Sequence, residues 1–318
     1  MQYILLTIGF AFLIKGADLL VDGASSLARR LKVSDLVIGL TVVAFGTSAP
    51  ELSVNVLSAF KGNTDIAVGN ILGSNIANVF LILGISAIVY PLIVTKGTVW
   101  KEIPLSLLAA ILVAVLANDQ FIDKQNYSVL TRIDGIILLL FFIVFLYYSF
   151  SIAQNIKEIE AYVAIKQQSA FHSLILIGLG LLGLTLGGKW IVDAAVFIAL
   201  KLNVSSSLIG LTVVAVGTSL PELATSIVAA FKKNSEIAIG NVVGSNIFNI
   251  FFILGVTATI RPIPFHSSFN FDVAVVIFSS LLLILFMFTG GKRKLDRVEG
   301  IIFVVLYVLY VIYVVVRR

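Results

Sequence analysis

Long apolar runs, each ended by a short cluster of charged or turn residues, make up nearly the whole chain. A transmembrane helix needs about 20 apolar residues to cross about 30 Å of hydrocarbon. That ruler predicts ten spans, at 3–28, 36–60, 66–91, 102–118, 133–153, 171–200, 207–231, 237–260, 271–289 and 298–316. Arg29-Arg30-Leu31-Lys32, Lys61-Gly62-Asn63, Asn118-Asp119 and Gly290-Gly291-Lys292 are among the punctuation. The first run has no basic leader and no small-residue cleavage site, so it is expected to be a retained span, not a signal peptide. The pattern predicts an all-α polytopic membrane protein.

The pattern also repeats. Ile38–Leu92 aligns without gaps on Ile209–Ile263, at an offset of 171, with 32 of 55 positions identical. The likeness continues more weakly upstream, where Gly16 matches Gly187, Asp22 matches Asp193, and Val33-Ser34 matches Val204-Ser205. Five spans precede the first helix of the second half, and an odd number of crossings makes the second copy enter the membrane from the opposite face. Two inverted five-helix repeats are therefore expected: 1–156, a short linker at 157–170, and 171–318. Inverted repeats of this kind build secondary transporters with a site near the midplane.

Composition agrees. The 318 residues are 59% hydrophobic and 12% charged, against about 45–50% and about 25% in soluble domains. Twenty-two Lys and Arg against 17 Asp and Glu give +5, which fits basic loops facing cytoplasm and anionic lipid, with no nucleic-acid partner. With the N-terminus outside, the cytoplasmic loops hold Arg29, Arg30, Lys32, Lys96, Lys101, Lys157, Lys166, Lys232, Lys233, Lys292, Arg293, Lys294 and Arg297. That is 13 basic residues against 7 on the outer side, which predicts both termini outside a cell membrane. Absence of cysteine excludes disulfides and thiolate metal sites, and His172 and His266 are too few for a histidine cage. No nucleophile–base pair, phosphate loop or cofactor motif appears, so neither an enzyme nor a bound cofactor is expected.

Two polar interruptions recur in each copy. The first is Ala44-Phe45-Gly46-Thr47-Ser48-Ala49-Pro50-Glu51, repeated as Ala215-Val216-Gly217-Thr218-Ser219-Leu220-Pro221-Glu222. Proline has no N–H and clashes with the carbonyl four residues back, so Pro50 and Pro221 weaken their helices around Thr47 and Thr218. Freed carbonyls at membrane depth belong against protein or a wet cavity and are hard oxygen ligands. Glu51 and Glu222 follow each break in mid-span, where a carboxylate is costly and marks function by default. The bland alternative is a protonated structural glutamate. Thr and Ser three or four residues earlier are expected on the same face as their glutamate.

The second interruption is Gly69-Asn70-Ile71-Leu72-Gly73-Ser74-Asn75-Ile76-Ala77-Asn78, repeated as Gly240-Asn241-Val242-Val243-Gly244-Ser245-Asn246-Ile247-Phe248-Asn249. Asn70, Ser74 and Asn78 form one stripe at i, i+4 and i+8, beside Gly69 and Gly73, which permit close packing. Asn75 and Asn246 fall off the stripe and read as glue between helices. Two carboxylates match one Ca²⁺, which takes 6–8 oxygens at about 2.3–2.6 Å. Transition metals would want sulfur or imidazole. The same oxygens, redistributed, suit several Na⁺, and competition for two shared carboxylates is a basis for exchange.

These motifs resemble the α-repeats of the cation/calcium antiporter superfamily, most closely its sodium/calcium exchanger branch of prokaryotic type. The resemblance implies alternating access, with Ca²⁺ and Na⁺ in overlapping sites. It implies Glu51 and Glu222 as central Ca²⁺ ligands, helped by backbone oxygens of Thr47 and Thr218. It places Ser48, Ser219, Ser74, Ser245 and the carbonyls of Ala44 and Ala215 at flanking Na⁺ sites, and Asn78 and Asn249 at the middle of the cavity. The first and sixth helices would slide across the other eight, near Gly16 and Gly187-Gly188. Asparagine at both 78 and 249, where potassium-dependent relatives use an acid, argues against K⁺ cotransport. A linker near 154–170 is too short for a calcium-sensing domain, and no obligate protein partner is implied.

H⁺/Ca²⁺ antiport is the nearest alternative; a cation channel, or a scaffold that transports nothing, belongs to another class. Lys15, Asp18 and Asp22, and Lys189 with Asp193, have the spacing of ion pairs on the moving helices. Lys292-Arg293-Lys294 reads as a topology determinant, and the histidines as interfacial.

Overall fold

The structure, a computed structural model, describes residues 2–122, 124–155, 169–202, 215–289 and 293–317. It is helical, with two small antiparallel β-pairings between loops. Among the described residues, eight helices are long and apolar enough to cross a membrane. They are α1 (Gln2–Leu31), α4 (Thr64–Val89), α5 (Thr98–Leu116), α7 (Arg132–Asn155), α8 (Ala170–Lys201), α11 (Ser235–Ile260), α12 (Phe269–Phe286) and α13 (Arg297–Val316). A ninth span is a broken pair, α2 (Asp35–Thr47) and α3 (Ala49–Lys61), bent by 47°. The short α6 (Asp119–Ile122) lies in a loop. Of the expected span 207–231, residues 207–214 lie outside the described residues; the rest forms α9 (Ala215–Thr218) and α10 (Leu220–Phe231).

Proline acts at both breaks as a helix starter. Pro50 and Pro221 occupy the first turn of α3 and α10, where the missing N–H costs nothing. The kink falls just before, at Ser48 (φ −81°, ψ 8°) and Ser219 (φ −88°, ψ 7°), a sparsely used backbone region frequent at active sites. Two further irregularities match at the repeat offset: π-helical turns over Ala77–Leu83 and Phe248–Leu254, a feature that collects at functional sites. Each opens on the asparagine-bearing turn. Left-handed residues close α3 and α10 at Gly62 (φ 79°) and Lys233 (φ 59°), so the copies also end alike.

Burial separates two kinds of span. The most apolar windows of α4 and α11 are 78% and 94% buried by protein, against 17–39% for the other six long helices. The polar G-N-x-x-G-S-N segments therefore sit on the two helices surrounded by protein, where buried polar groups find partners. In α11 the glycine device works: a Cβ on Gly244 would meet the Leu40 carbonyl oxygen at 2.7 Å, and one on Gly240 the Leu36 oxygen at 3.0 Å. In α4 the matching glycines are looser: a Cβ on Gly69 would meet the Phe269 ring at 3.9 Å, and one on Gly73 no atom of the described residues within 4 Å.

α1 and α8 pack antiparallel along a glycine seam. A Cβ on Gly16 would meet the backbone of Leu184 and Gly180 at 2.7 and 2.8 Å, and one on Gly187 would meet the Gly9 oxygen at 2.7 Å. Ser173 Oγ donates to Ser26 Oγ at the seam's end (2.9 Å). Such small-residue faces let backbones touch where lipid supplies no hydrophobic drive for association.

Loops distant in sequence pair with one another. β1 (Leu92–Ile93) pairs with β4 (Lys294–Leu295), and β2 (Val129–Leu130) with β3 (Ile263–Pro264). Asn234 Nδ2 donates to Asp35 and to Ser25 Oγ (3.0 Å for the serine), on one face. His266 lies 3.5 Å from Asp65 on the other, both exposed. Asp296 caps α13 by a capping box; the hydrogen bond from Lys294 and the Arg297 N–H hold its carboxyl below the usual carboxylate range.

Candidate cation-binding centre

The two breaks and the two buried helices converge on one polar centre. Glu51 and Glu222 are each 1% exposed. Their hydroxyl partners cross between copies. Ser219 Oγ donates to Glu51 Oε1 at 3.2 Å, and Ser48 Oγ to Glu222 Oε1 at 2.9 Å. Ser74 Oγ reaches Glu51 Oε1 at 3.4 Å and lies 3.2 Å from Ser219 Oγ; Ser48 Oγ lies 3.0 Å from Ser245 Oγ. The expectation that each Ser shares a face with its own glutamate is thus corrected. The bridge-region residue at each kink swings Ser48 and Ser219 to the opposite carboxylate, because helical spacing does not survive the break.

The threonine side chains also cross over. Thr47 Oγ1 donates to Asn241 Oδ1 at 2.9 Å and Thr218 Oγ1 to Asn70 Oδ1 at 3.3 Å. Thr47 Oγ1 also lies 3.3 Å from the Ala44 oxygen, which accepts the Ser48 N–H at 3.0 Å. The Ala44 carbonyl therefore enters the centre already engaged. Ala215 matches it at the start of α9.

The asparagines divide into holders and presenters. Asn78 Nδ2 donates to Asn246 Oδ1 and Asn249 Nδ2 to Asn75 Oδ1, both at 2.9 Å. Asn75 Nδ2 also donates to the Asn246 carbonyl at 3.3 Å. Asn75 and Asn246 thus join α4 to α11, in keeping with the glue reading, and they also orient Asn78 and Asn249. With both amide N–H₂ groups tied back, the Oδ1 atoms of Asn78 and Asn249 are left as acceptors.

Those two oxygens, with Glu51 Oε2 and Glu222 Oε2, are buried and have no hydrogen-bond partner among the described residues. Leaving a buried polar atom unmade costs about 1–3 kcal/mol, and more for a charged one. Neither glutamate forms an ion pair with Lys or Arg among the described residues, so four unpartnered acceptors call for a cation. All are hard oxygens, as Ca²⁺ and Na⁺ require, and no cluster of three or more His, Cys, Asp or Glu suited to a transition metal occurs among the described residues. The donor set fits the ions expected as cargo.

Two residues had a detectable signal and were missed. Asn55 Nδ2 donates to the Glu51 carbonyl at 2.8 Å, and its repeat counterpart Ser226 accepts from Asn241 Nδ2 at 3.0 Å. Both are buried polar residues one turn after the glutamate, a spacing that pointed to them. A cavity of about 200 Å³ adjoins the centre through Thr218, Pro50 and Pro221, with Lys189 and Asp193 on its α8 wall. The expected ion pairs are partly corrected. Lys15 meets Asp18 at 2.9 Å, but Asp22 pairs with Lys232 at 2.7 Å, and Lys189 and Asp193 form no ion pair among the described residues.

A buried cluster of unpartnered oxygens inside a bundle of helices long enough to span a membrane is the arrangement of an ion-transport protein. Sequence and structural likeness make the class specific. The family described as sodium/calcium exchanger protein matches residues 1–151 and 172–316. The chain is 38% identical over 310 residues to the putative antiporter CaxA of Alkalimonas amylolytica, covering 95% of each. It is 32% identical over 339 residues to the sodium/calcium exchanger MaX1 of Methanosarcina acetivorans, covering 96% of this chain and 95% of that one. A solved structure of the sodium-calcium exchanger NCX_Mj, soaked with 2.5 mM Na⁺ and 0.1 mM Ca²⁺, superposes with a TM-score of 0.82 at 37% identity, covering 97% and 96%. The chain belongs to the sodium/calcium exchanger family: it is a multi-pass membrane cation/Ca²⁺ exchanger.

Proposed function

We propose that this protein exchanges Ca²⁺ for Na⁺ across the cell membrane by alternating access, independently of K⁺. The carrying observation is the quartet of buried, unpartnered oxygens on Glu51, Glu222, Asn78 and Asn249. The two carboxylates balance one Ca²⁺. Backbone oxygens of Thr47 and Thr218 complete its shell, and Ser48, Ser74, Ser219, Ser245 and the carbonyls of Ala44 and Ala215 serve flanking Na⁺. Asparagine at 78 and 249 adds no third charge, which supports K⁺ independence.

The same reading takes the chain as ten spans in two inverted halves, 1–156 and 171–318, with both termini outside the cell. Its support is the antiparallel α1–α8 seam, the matched breaks and π-turns, and the loop pairings that follow span parity. Exchange then follows from electrostatics. One shared pair of carboxylates balances either Ca²⁺ or Na⁺, so entry of one releases the other, and closing off an empty, doubly negative centre from water at the midplane is too costly.

The test is radiolabelled Ca²⁺ uptake into proteoliposomes. Uptake driven by an outward Na⁺ gradient, insensitive to K⁺, is expected. Uptake with an imposed pH gradient alone transfers the reading to H⁺/Ca²⁺ antiport, and flux without any counter-ion transfers it to a channel.

A further inference from the structure

The cavity beside the centre runs along α8, and the matching positions on α1 are packed. Pro50 and Pro221 both line the cavity; shifting its lining Gly188, Lys189, Val192, Asp193 and Thr218 by 171 positions gives Ala17, Asp18, Val21, Asp22 and Thr47. There Ala17 and Val21 are 0% and 1% exposed, and Thr47 is buried. Lys232, at the end of α10, reaches across to α1 and meets Asp18 at 2.6 Å and Asp22 at 2.7 Å, donating also to the Asp18 carbonyl at 3.1 Å. Lys15 adds a second contact to Asp18. The cavity gives α8 an accessible mouth, whereas the matching positions on α1 are packed and bridged by ion pairs.

The residues that would close the open mouth do not mirror the latch. Lys232 corresponds to Lys61, Asp22 to Asp193, Asp18 to Lys189 and Lys15 to Leu186. Lys61, Lys189 and Asp193 form no ion pair among the described residues, and all three are exposed. In a transporter built from inverted halves, the opposite state arises when each half takes the other's conformation. That exchange would bring Lys61 to a lysine and one acid, where Lys232 now meets two acids.

From this asymmetry we propose that Lys232, Asp18 and Asp22 form a one-sided electrostatic latch, which favours the state open along α8 over its mirror state. The proposal rests on the two-state exchange reading but not on which ions are carried. The latch positions helices; it does not touch cargo.

The chain has no cysteine, so single-cysteine reporters test it directly. Val192→Cys probes the open mouth and Val21→Cys the closed one, each labelled in detergent by a charged thiol reagent without Na⁺ or Ca²⁺. Lys232→Gln is expected to raise labelling of the Val21→Cys reporter about two- to fivefold, the scale of solvent-exposed ion pairs, and to slow the Val192→Cys reporter. Lys232→Arg should keep the parental pattern. A variant that needs no loss of contact makes the decisive arm: Lys189→Asp builds the missing counterpart beside Lys61 and should shift labelling in the same direction. Unchanged labelling in Lys232→Gln and Lys189→Asp, or both reporters speeding up together, would overturn the latch. Because no transported ion is present, that result is separable from failure of Na⁺-driven uptake.

Discussion

The two copies of the motif place nearly the same side chains around two glutamates, yet they hold those glutamates differently. In the first copy, Asn55 Nδ2 takes the Glu51 carbonyl at 2.8 Å, and Asn70 Nδ2 is left buried without a partner among the described residues. In the second, position 226 is serine. There Asn241 Nδ2 takes both the Glu222 carbonyl at 3.2 Å and Ser226 Oγ at 3.0 Å. Thr47 is buried whereas Thr218 is half-buried and borders the cavity. A duplicated sequence thus preserves the buried carboxylates but not their surroundings, and one Asn-for-Ser difference reroutes a backbone hydrogen bond behind one of them.

The severest test of the symmetry is charge removal. Glu51→Gln and Glu222→Gln should each lower Na⁺-driven Ca²⁺ uptake more than about tenfold, since unbalancing a buried charge centre costs about 3–5 kcal/mol. Normal uptake in either variant would remove that residue from the site and break the equivalence. Next comes the support behind the asparagines. Asn246→Ala strips the acceptor from Asn78 Nδ2, leaving a buried donor worth about 1–3 kcal/mol. Apparent Ca²⁺ affinity should fall about tenfold with the helical circular dichroism unchanged, and Asn75→Ala should act alike through Asn249. The smallest effect sharpens the contrast itself. Asn55→Ser gives the first copy the second copy's residue and frees Glu51's carbonyl for Asn70. A net hydrogen-bond change of about 0.5–1.5 kcal/mol predicts a shift of Ca²⁺ affinity of about two- to tenfold; a shift as large as that of Glu51→Gln would make Asn55 itself a ligand.

Much of this arrangement is legible along the chain because its causes are local. Apolar runs register the hydrocarbon thickness, and the 171-residue offset names equivalent residues before any packing is known. Proline ahead of an intramembrane glutamate marks both breaks, and alternate loops carry their charge bias. What escaped sits across breaks or between distant segments. Helical spacing assigned Ser48 to Glu51, but a kink at Ser48 hands its hydroxyl to Glu222, 174 residues away. The same spacing tied Asp22 to Lys15, whereas Lys232 claims it from another helix.

The order of residues by itself determined which groups are available: two carboxylates, hard oxygens, no thiols, ten apolar runs and a repeated polar motif. Packing alone decided which groups meet. Crossed Ser–Glu pairs, amides tied back so that four oxygens stay unsatisfied, and Lys232 paired with two acids on α1 all depend on helices from both halves lying against each other. Periodicity reports neighbours within a helix, one turn apart. Contacts between helices are set by where close-packed small residues let backbones approach, and only the assembled bundle contains that information.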